Sequence, residues 1–317
     1  MRIYIAGATG ALGRHLVPLL VARGHEVVGT TRTPAKADAL RALGARPAVV
    51  DALDADAVGR SVAEAEPEVL VHQLTALSGE IDMRHIDRGF AATNRLRTEG
   101  LDHLLAAGRA AGARRAVVQS FTGWPFARTG GPVKTEDDPL DPHPPAALRR
   151  TLEAIRHLEA TTTAIDWGEG LVLRYGGFYG PGTGISVGEE GNMAEAVRAR
   201  RFPVVGAGDG VWSLVHIEDA AAATADAVER GAAGIYQVVD DEPAPVREWL
   251  PALASAIGAP PPRRVPRWVG RALAGQAATV MMTESRGASN AKAKRELGWR
   301  LAFPSWRQGF AEGLRAA

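Results

Sequence analysis

Three glycines at a spacing of three, Gly7, Gly10 and Gly13, lie in the run Gly7-Ala8-Thr9-Gly10-Ala11-Leu12-Gly13, directly after the apolar stretch Ile3 to Ala6. Glycines so placed let the main chain turn tightly, let an anion approach the backbone and let a following helix pack closely on a strand. The free N–H groups at the start of that helix face the anion, so Gly7, Thr9, Gly10, Ala11, Leu12 and Gly13 are expected to hold a dinucleotide pyrophosphate. About 20 residues beyond such a turn, an NAD site usually carries a carboxylate for the ribose 2′-hydroxyl. This chain has Thr30-Thr31-Arg32-Thr33 there instead. A planar cation suits a 2′-phosphate, so Thr31 and Arg32 point to NADP(H), with NAD(H) as the alternative.

Other chemistries find little support. The chain has no cysteine, which removes disulfides, thiol nucleophiles and zinc–thiolate sites together. Its eight histidines show no HxH or HxxxH spacing, and the pairs Asp137-Asp138 and Asp240-Asp241 sit in turn-like sequence beside Pro139 and Pro243, so no metal site is expected. With 37 basic and 36 acidic residues, no basic field exists to hold nucleic acid or an anionic membrane, and the partner is expected to be a small molecule. No run of 18 apolar residues occurs and the opening lacks a secretory h-region; a cytoplasmic protein is expected.

The elements that must position these groups follow from periodicity. At 317 residues and 46% apolar content the chain has enough material for a large core. Strands are predicted at 2–6, 26–31, 46–50, 69–73 and 115–120. Helices are predicted at 11–23, 34–43, 56–65 and 90–111, the first kinked by Pro18 and the last continuous. This alternation implies right-handed parallel crossovers and a doubly wound α/β sheet.

The GATGALG turn, Asp51-Ala52-Leu53, Asn94 in TNRLRTEGLDHLL, the strand ending at Ser120, LRYGGFYGPGT at 173–183, WSLVHIEDAAAA at 212–223 and NAKAKRELGW at 290–299 together resemble the extended short-chain dehydrogenase/reductase superfamily, the NAD-dependent epimerase/dehydratase group. The resemblance spans nearly the whole chain. It implies a Rossmann domain of residues 1–181 with 211–240, and a smaller substrate lobe of 182–210 with 241–317. It also implies that Asp51, Ala52 and Leu53 meet the adenine side, that Leu74 and Thr75 line the dinucleotide's path, and that Ser120 and Tyr175 stand near the nicotinamide. Family members often dimerise through paired long helices, and Leu101, Leu104, Leu105 and Gly108 form a stripe that fits a homodimer.

In one respect the chain departs from its family pattern. Those enzymes place a Tyr-x-x-x-Lys pair on the helix after strand five, where the phenol serves as acid or base. Here tyrosine occurs only at 4, 175, 179 and 236 and lysine only at 36, 134, 292 and 294, so no such pair exists. Aligning PHPPAALRRTLEAIRHLEA with that helix puts Leu148 and Leu152 at the two positions. Ser120 and Tyr175 remain as candidate catalytic hydroxyls, with Thr122 or bound water behind them. Tyr179 is expected to pack structurally, His216 to be a satisfied histidine, and Trp212, Trp268, Met281 and Met282 are candidates for an apolar substrate wall. The expected activity is NADPH-dependent reduction of a carbonyl or activated double bond in a small organic molecule. The alternatives are an epimerase or dehydratase with a displaced acid–base group, and a non-catalytic NADP(H) sensor.

Overall fold

The computed structural model describes residues 1–77, 84–188 and 191–315. Seven strands, β1 (Arg2–Ala6), β2 (Glu26–Thr31), β3 (Arg46–Val49), β4 (Val69–His72), β5 (Arg115–Phe121), β6 (Glu169–Tyr175) and β7 (Gly234–Val238), form one sheet in the order β3-β2-β1-β4-β5-β6-β7. Every pairing in it is parallel. Both faces are covered, which is why strands such as VLVH carry apolar residues on both sides. On one face Ile3, Ile5, Val71, Val117 and Leu173 pack with α1 (Ala11–Ala22) and the helix Ile217–Glu229; on the other, Leu70, Ala116, Val118 and Val172 pack with α2 (Ala55–Ala65), α3 (Leu101–Ala111) and α4 (Arg149–Thr163). The chain reverses its direction of travel across the sheet between β1 and β4, so a crevice opens at their carboxyl ends.

Two helix expectations change. α1 runs through Pro18 as a single helix. Pro18 is exposed, so water can reach the place where its missing N–H would have donated within the helix. The long helix expected at 90–111 is instead interrupted: Ala91–Arg95 is α-helical, Leu96–Gly100 is a π turn, and α3 follows to Ala111. The stripe Leu101, Leu104, Leu105 and Gly108 faces the chain's own sheet. A Cβ at Gly108 would lie 2.2 Å from a Leu70 methyl carbon, so this stripe offers no surface for a second subunit.

A second apolar cluster gathers Val197, Val204, Trp249, Leu250, Met282, Trp306 and Phe310 around Tyr179 and Leu214. It draws mainly on 182–210 and 241–317, although Leu297 and Trp299 of the latter stretch belong to the main core, where Trp299 Nε1 donates to Asp219 O at 3.0 Å. No described helix is long and apolar enough to cross a membrane, and no cluster of metal-ligating residues occurs among the described residues.

Candidate active site

The glycine turn takes the shape its sequence requires. Gly7 has φ +94°, and a Cβ there would lie 2.7 Å from Gln73 O. A Cβ on Gly13 would lie 2.3 Å from Ala8 O, so the helix passes directly against the turn. Gly10 caps α1 with no side chain bonded to the helix start, which leaves its first N–H groups directed outward. Gly7 N itself donates to Thr30 Oγ1 at 3.1 Å, tying the turn to β2.

Above this turn lies a cleft of about 860 Å³. Gly7, Thr9, Gly10, Ala11, Leu12, Gly13, Thr31, Arg32, Ala52, Leu74, Thr75 and Tyr175 all border it. Asp51, Leu53 and Ser120 do not. Asp51 Oδ1 instead accepts from Leu53 N at 3.0 Å, closing a local turn. The cleft also includes residues that the sequence reading missed. Lys36 joins Arg32 at its exposed edge, while Phe90, Arg97, Gln119, Phe121, Trp124, Ile155 and Phe178 border it elsewhere. A cradle of backbone N–H groups with two cations at its rim fits a phosphorylated dinucleotide.

The candidate hydroxyls are engaged elsewhere. Ser120 is 1% exposed and its Oγ donates to Glu159 Oε1 at 2.7 Å. It stands opposite Arg174 in the β5–β6 register, on the face covered by α4, whereas its neighbours Gln119 and Phe121 border the cleft. Alternation along a strand produces this: a one-residue displacement moves a side chain to the other face. Tyr175 borders the cleft, but its hydroxyl is held at 2.7 Å from Thr224 Oγ1 and accepts from Gln73 Nε2 at 3.3 Å. Because Thr224 donates its own proton to Ala220 O at 2.6 Å, the phenol proton is committed to Thr224. Burial raises the phenol's pKa above its ordinary value, the opposite of what a proton donor needs. The Thr122 hydroxyl is buried without a partner and Thr122 does not border the cleft.

On α4 the register also differs from the sequence alignment. Leu148 packs against Ile86 and Ala277, Leu152 is fully buried, and the residue of this helix that borders the cleft is Ile155. Asn94 Nδ2 donates to Thr151 Oγ1, which in turn donates to Asp87 Oδ1 at 2.6 Å, a chain that joins α4 to the preceding helices while Asn94 Oδ1 is buried without a partner among the described residues. His216 fills the structural role expected of it. Its Nε2 lies 2.9 Å from Gly313 O, its Nδ1 accepts from Glu218 N, and burial lowers its pKa. Tyr179 is fully buried in the second cluster. Trp212 packs on Trp249 and donates to Met281 O, Met282 is core and Trp268 is 74% exposed, so none of these four candidates borders the cleft.

Similarity to known proteins agrees with this geometry. The model of the NAD dependent epimerase/dehydratase family matches residues 3–239. A "3-diazoavenalumate denitrifying reductase" from Streptomyces sp is 47% identical over 311 residues, covering 98% of this chain and 99% of that protein. Among solved structures, human epimerase family protein SDR39U1 with NADPH superposes with a TM-score of 0.75 at 20% identity, covering 99% of both chains. Thermus thermophilus UDP-glucose 4-epimerase in complex with NAD gives 0.74 at 24%, covering 99% of this chain and 98% of that one.

Proposed function

Because the chain belongs to the NAD dependent epimerase/dehydratase family, as an NAD(P)-dependent oxidoreductase of the extended short-chain dehydrogenase/reductase class, we propose that it uses NADPH to reduce a conjugated aromatic small molecule at a centre that needs no proton from the protein. One observation carries this reading: the hydroxyls of Ser120 and Tyr175 are committed inside the core, and the lining of the cleft includes Phe121, Trp124, Ile155 and Phe178. The reductase relative, named for a diazo substrate, supports the same class. When bound, reduced nicotinamide would supply a hydride; an arenediazonium would take it at the ring carbon as the C–N bond breaks and N₂ leaves, so no proton would be consumed. Such chemistry removes the need for a Tyr-x-x-x-Lys pair.

The residues of the chain divide the remaining work. The N–H groups at the Gly10 end of α1 hold the pyrophosphate, and Arg32 with Lys36 takes the 2′-phosphate that distinguishes NADP(H). The aromatic wall receives a flat ring and excludes water around the reacting carbon. The second apolar cluster, in 182–210 with 241–317, is the substrate lobe in this reading. A homodimer rests on the family resemblance alone, and a cytoplasmic location on composition alone.

The test is anaerobic absorbance at the reduced nicotinamide band, with an arenediazonium carboxylate, an enone and a ketone as substrates and a protein-free control for each. The expected result is saturable oxidation with the diazonium, transfer of deuterium from C4-labelled NADPH to the ring carbon, and N₂ release. Turnover of the ketone alone refutes the reading in favour of a carbonyl reductase with a proton donor elsewhere. Tight NADPH binding without oxidation by any of the three substrates points to the sensor alternative.

A further inference from the structure

Arg97 lies in the π turn Leu96–Gly100, a rare geometry in helices that often marks functional positions. It borders the cleft, yet the residue is only 6% exposed, and its Nη1 is buried with no hydrogen-bond partner. The guanidinium carbon stands 5.9 Å from the centroid of Phe90, which borders the same cleft. Among the described residues, the acidic side chain whose charge acts on Arg97 is Glu159, and both of its oxygens are already occupied. Oε1 accepts from Ser120 and from Arg174 Nε at 2.8 Å, and Oε2 accepts from Arg174 Nη2 at 2.7 Å. Among the described residues two buried guanidiniums therefore share one buried carboxylate, and one positive charge is left over at the cleft.

A buried charge without a partner is costly, and a fold retains one only where something offsets it. Burial pushes the Arg97 guanidinium down to about 10, which still leaves it charged at neutral pH. It cannot act as a proton donor there, but it can hold negative charge with fixed, directional N–H groups.

We infer that Arg97 is the receptor for a carboxylate oxygen of the substrate, carried by the aromatic molecule that fills the cleft. The inference rests on the substrate class proposed above and deepens it. The aromatic wall binds the ring, and Arg97 fixes its orientation by the one charged group it carries. A molecule without that oxygen leaves Nη1 buried and unpaired, so Arg97 selects aromatic acids over their esters and alcohols.

The experiment titrates NADPH-loaded protein with 4-hydroxycinnamate, with its methyl ester and with cinnamyl alcohol, read by tryptophan fluorescence because Trp124 borders the cleft. Wild type is expected to prefer the acid. Arg97→Gln should weaken acid binding by about 10- to 100-fold, the value of a hydrogen bond to a charged group, while ester binding and the NADPH Kd change less than about threefold. Arg97→Lys keeps the charge and loses the fork, so it should fall between them and show that the effect is not loss of folding. No preference for the acid in wild type, or equal losses for acid and ester in Arg97→Gln, overturns the inference. Weaker NADPH binding with acid binding intact also overturns it, because Arg97 would then serve the dinucleotide. The substrate reading fails separately: acid selectivity through Arg97 without NADPH oxidation by any aromatic electrophile keeps the receptor and removes the reduction.

Discussion

Replacing Ser120 by alanine separates a structural serine from a catalytic one. The Ser120 hydroxyl makes one hydrogen bond, 2.7 Å to a Glu159 oxygen, in a place where both residues are almost fully buried. Glu159 keeps its two contacts with Arg174 in the variant, so the charge stays paired and only the serine contribution disappears. A hydrogen bond to a charged group contributes about 1.5–3 kcal/mol, and loss of one oxygen leaves a space too small to add much. Ser120→Ala should therefore lower the unfolding free energy by about 2 kcal/mol in a urea titration with unchanged slope. The rate of hydride transfer in a single turnover should stay within about threefold of wild type, since a group that stabilised a developing oxyanion would cost about 10²–10³. Tyr175→Phe should behave alike, losing the contact to Thr224 and sparing the rate. A 100-fold loss of rate at unchanged stability, in either variant, would refute the assignment of these hydroxyls to the core.

Arg32→Ala should cut the preference for NADPH over NADH by about 10- to 100-fold, with Lys36→Ala lowering it further; calorimetry with both cofactors measures it. Gly7→Ala should abolish dinucleotide binding, because its methyl group must enter a +94° φ position 2.7 Å from Gln73 O; thermal shift with and without NADPH reports this. Asp240 is 1% exposed with one oxygen unpartnered, and burial raises its pKa to about 8 from an ordinary 3.8. The folded state therefore binds a proton that the unfolded state has lost between pH 4 and 8, and stability attributable to this group falls as pH rises through that window. Asp240→Asn should flatten that decline, so its midpoint in denaturant should exceed wild type at pH 8 and approach it at pH 5.

Much of the architecture was legible because its signals are local. The Gly7, Gly10 and Gly13 spacing, the apolar strands and the alternation of elements each constrain the chain within a few residues, and the glycine-turn residues border the cleft. The side of a strand end that opens on a cleft is set by a different kind of information. Ser120 and Phe121 are adjacent in sequence, and only the position of α4 over one face of the sheet decides that the serine is interior and the phenylalanine lines the cleft. The π turn was equally hidden, since adding one residue to a helical turn leaves composition and apolar content unchanged. Lys36 follows Arg32 by one helical turn's worth of residues and would have been found by asking which other cations the same loop presents.

Arg97 did leave a trace in the sequence. Arg95 and Arg97 look alike in TNRLRTEG, but Arg95 is exposed and paired with Glu99 at 2.7 and 2.9 Å, as a solvated helix charge should be. Arg97 precedes Leu101, Leu104 and Gly108 at intervals of four, three and four, the spacing of the buried stripe. A cation in register with a buried apolar face has to be neutralised, paired or used. Glu159 is already shared with Arg174 and Ser120, and the guanidinium remains charged, which leaves use. The same logic bears on the missing tyrosine and lysine pair. A tyrosine and lysine pair delivers a proton to a neutral carbonyl as charge develops, whereas a fixed guanidinium cannot deliver one and suits a substrate that arrives already anionic. A variant carrying a tyrosine and lysine pair while keeping Arg97 should therefore gain no rate on an aromatic acid, measured as NADPH oxidation.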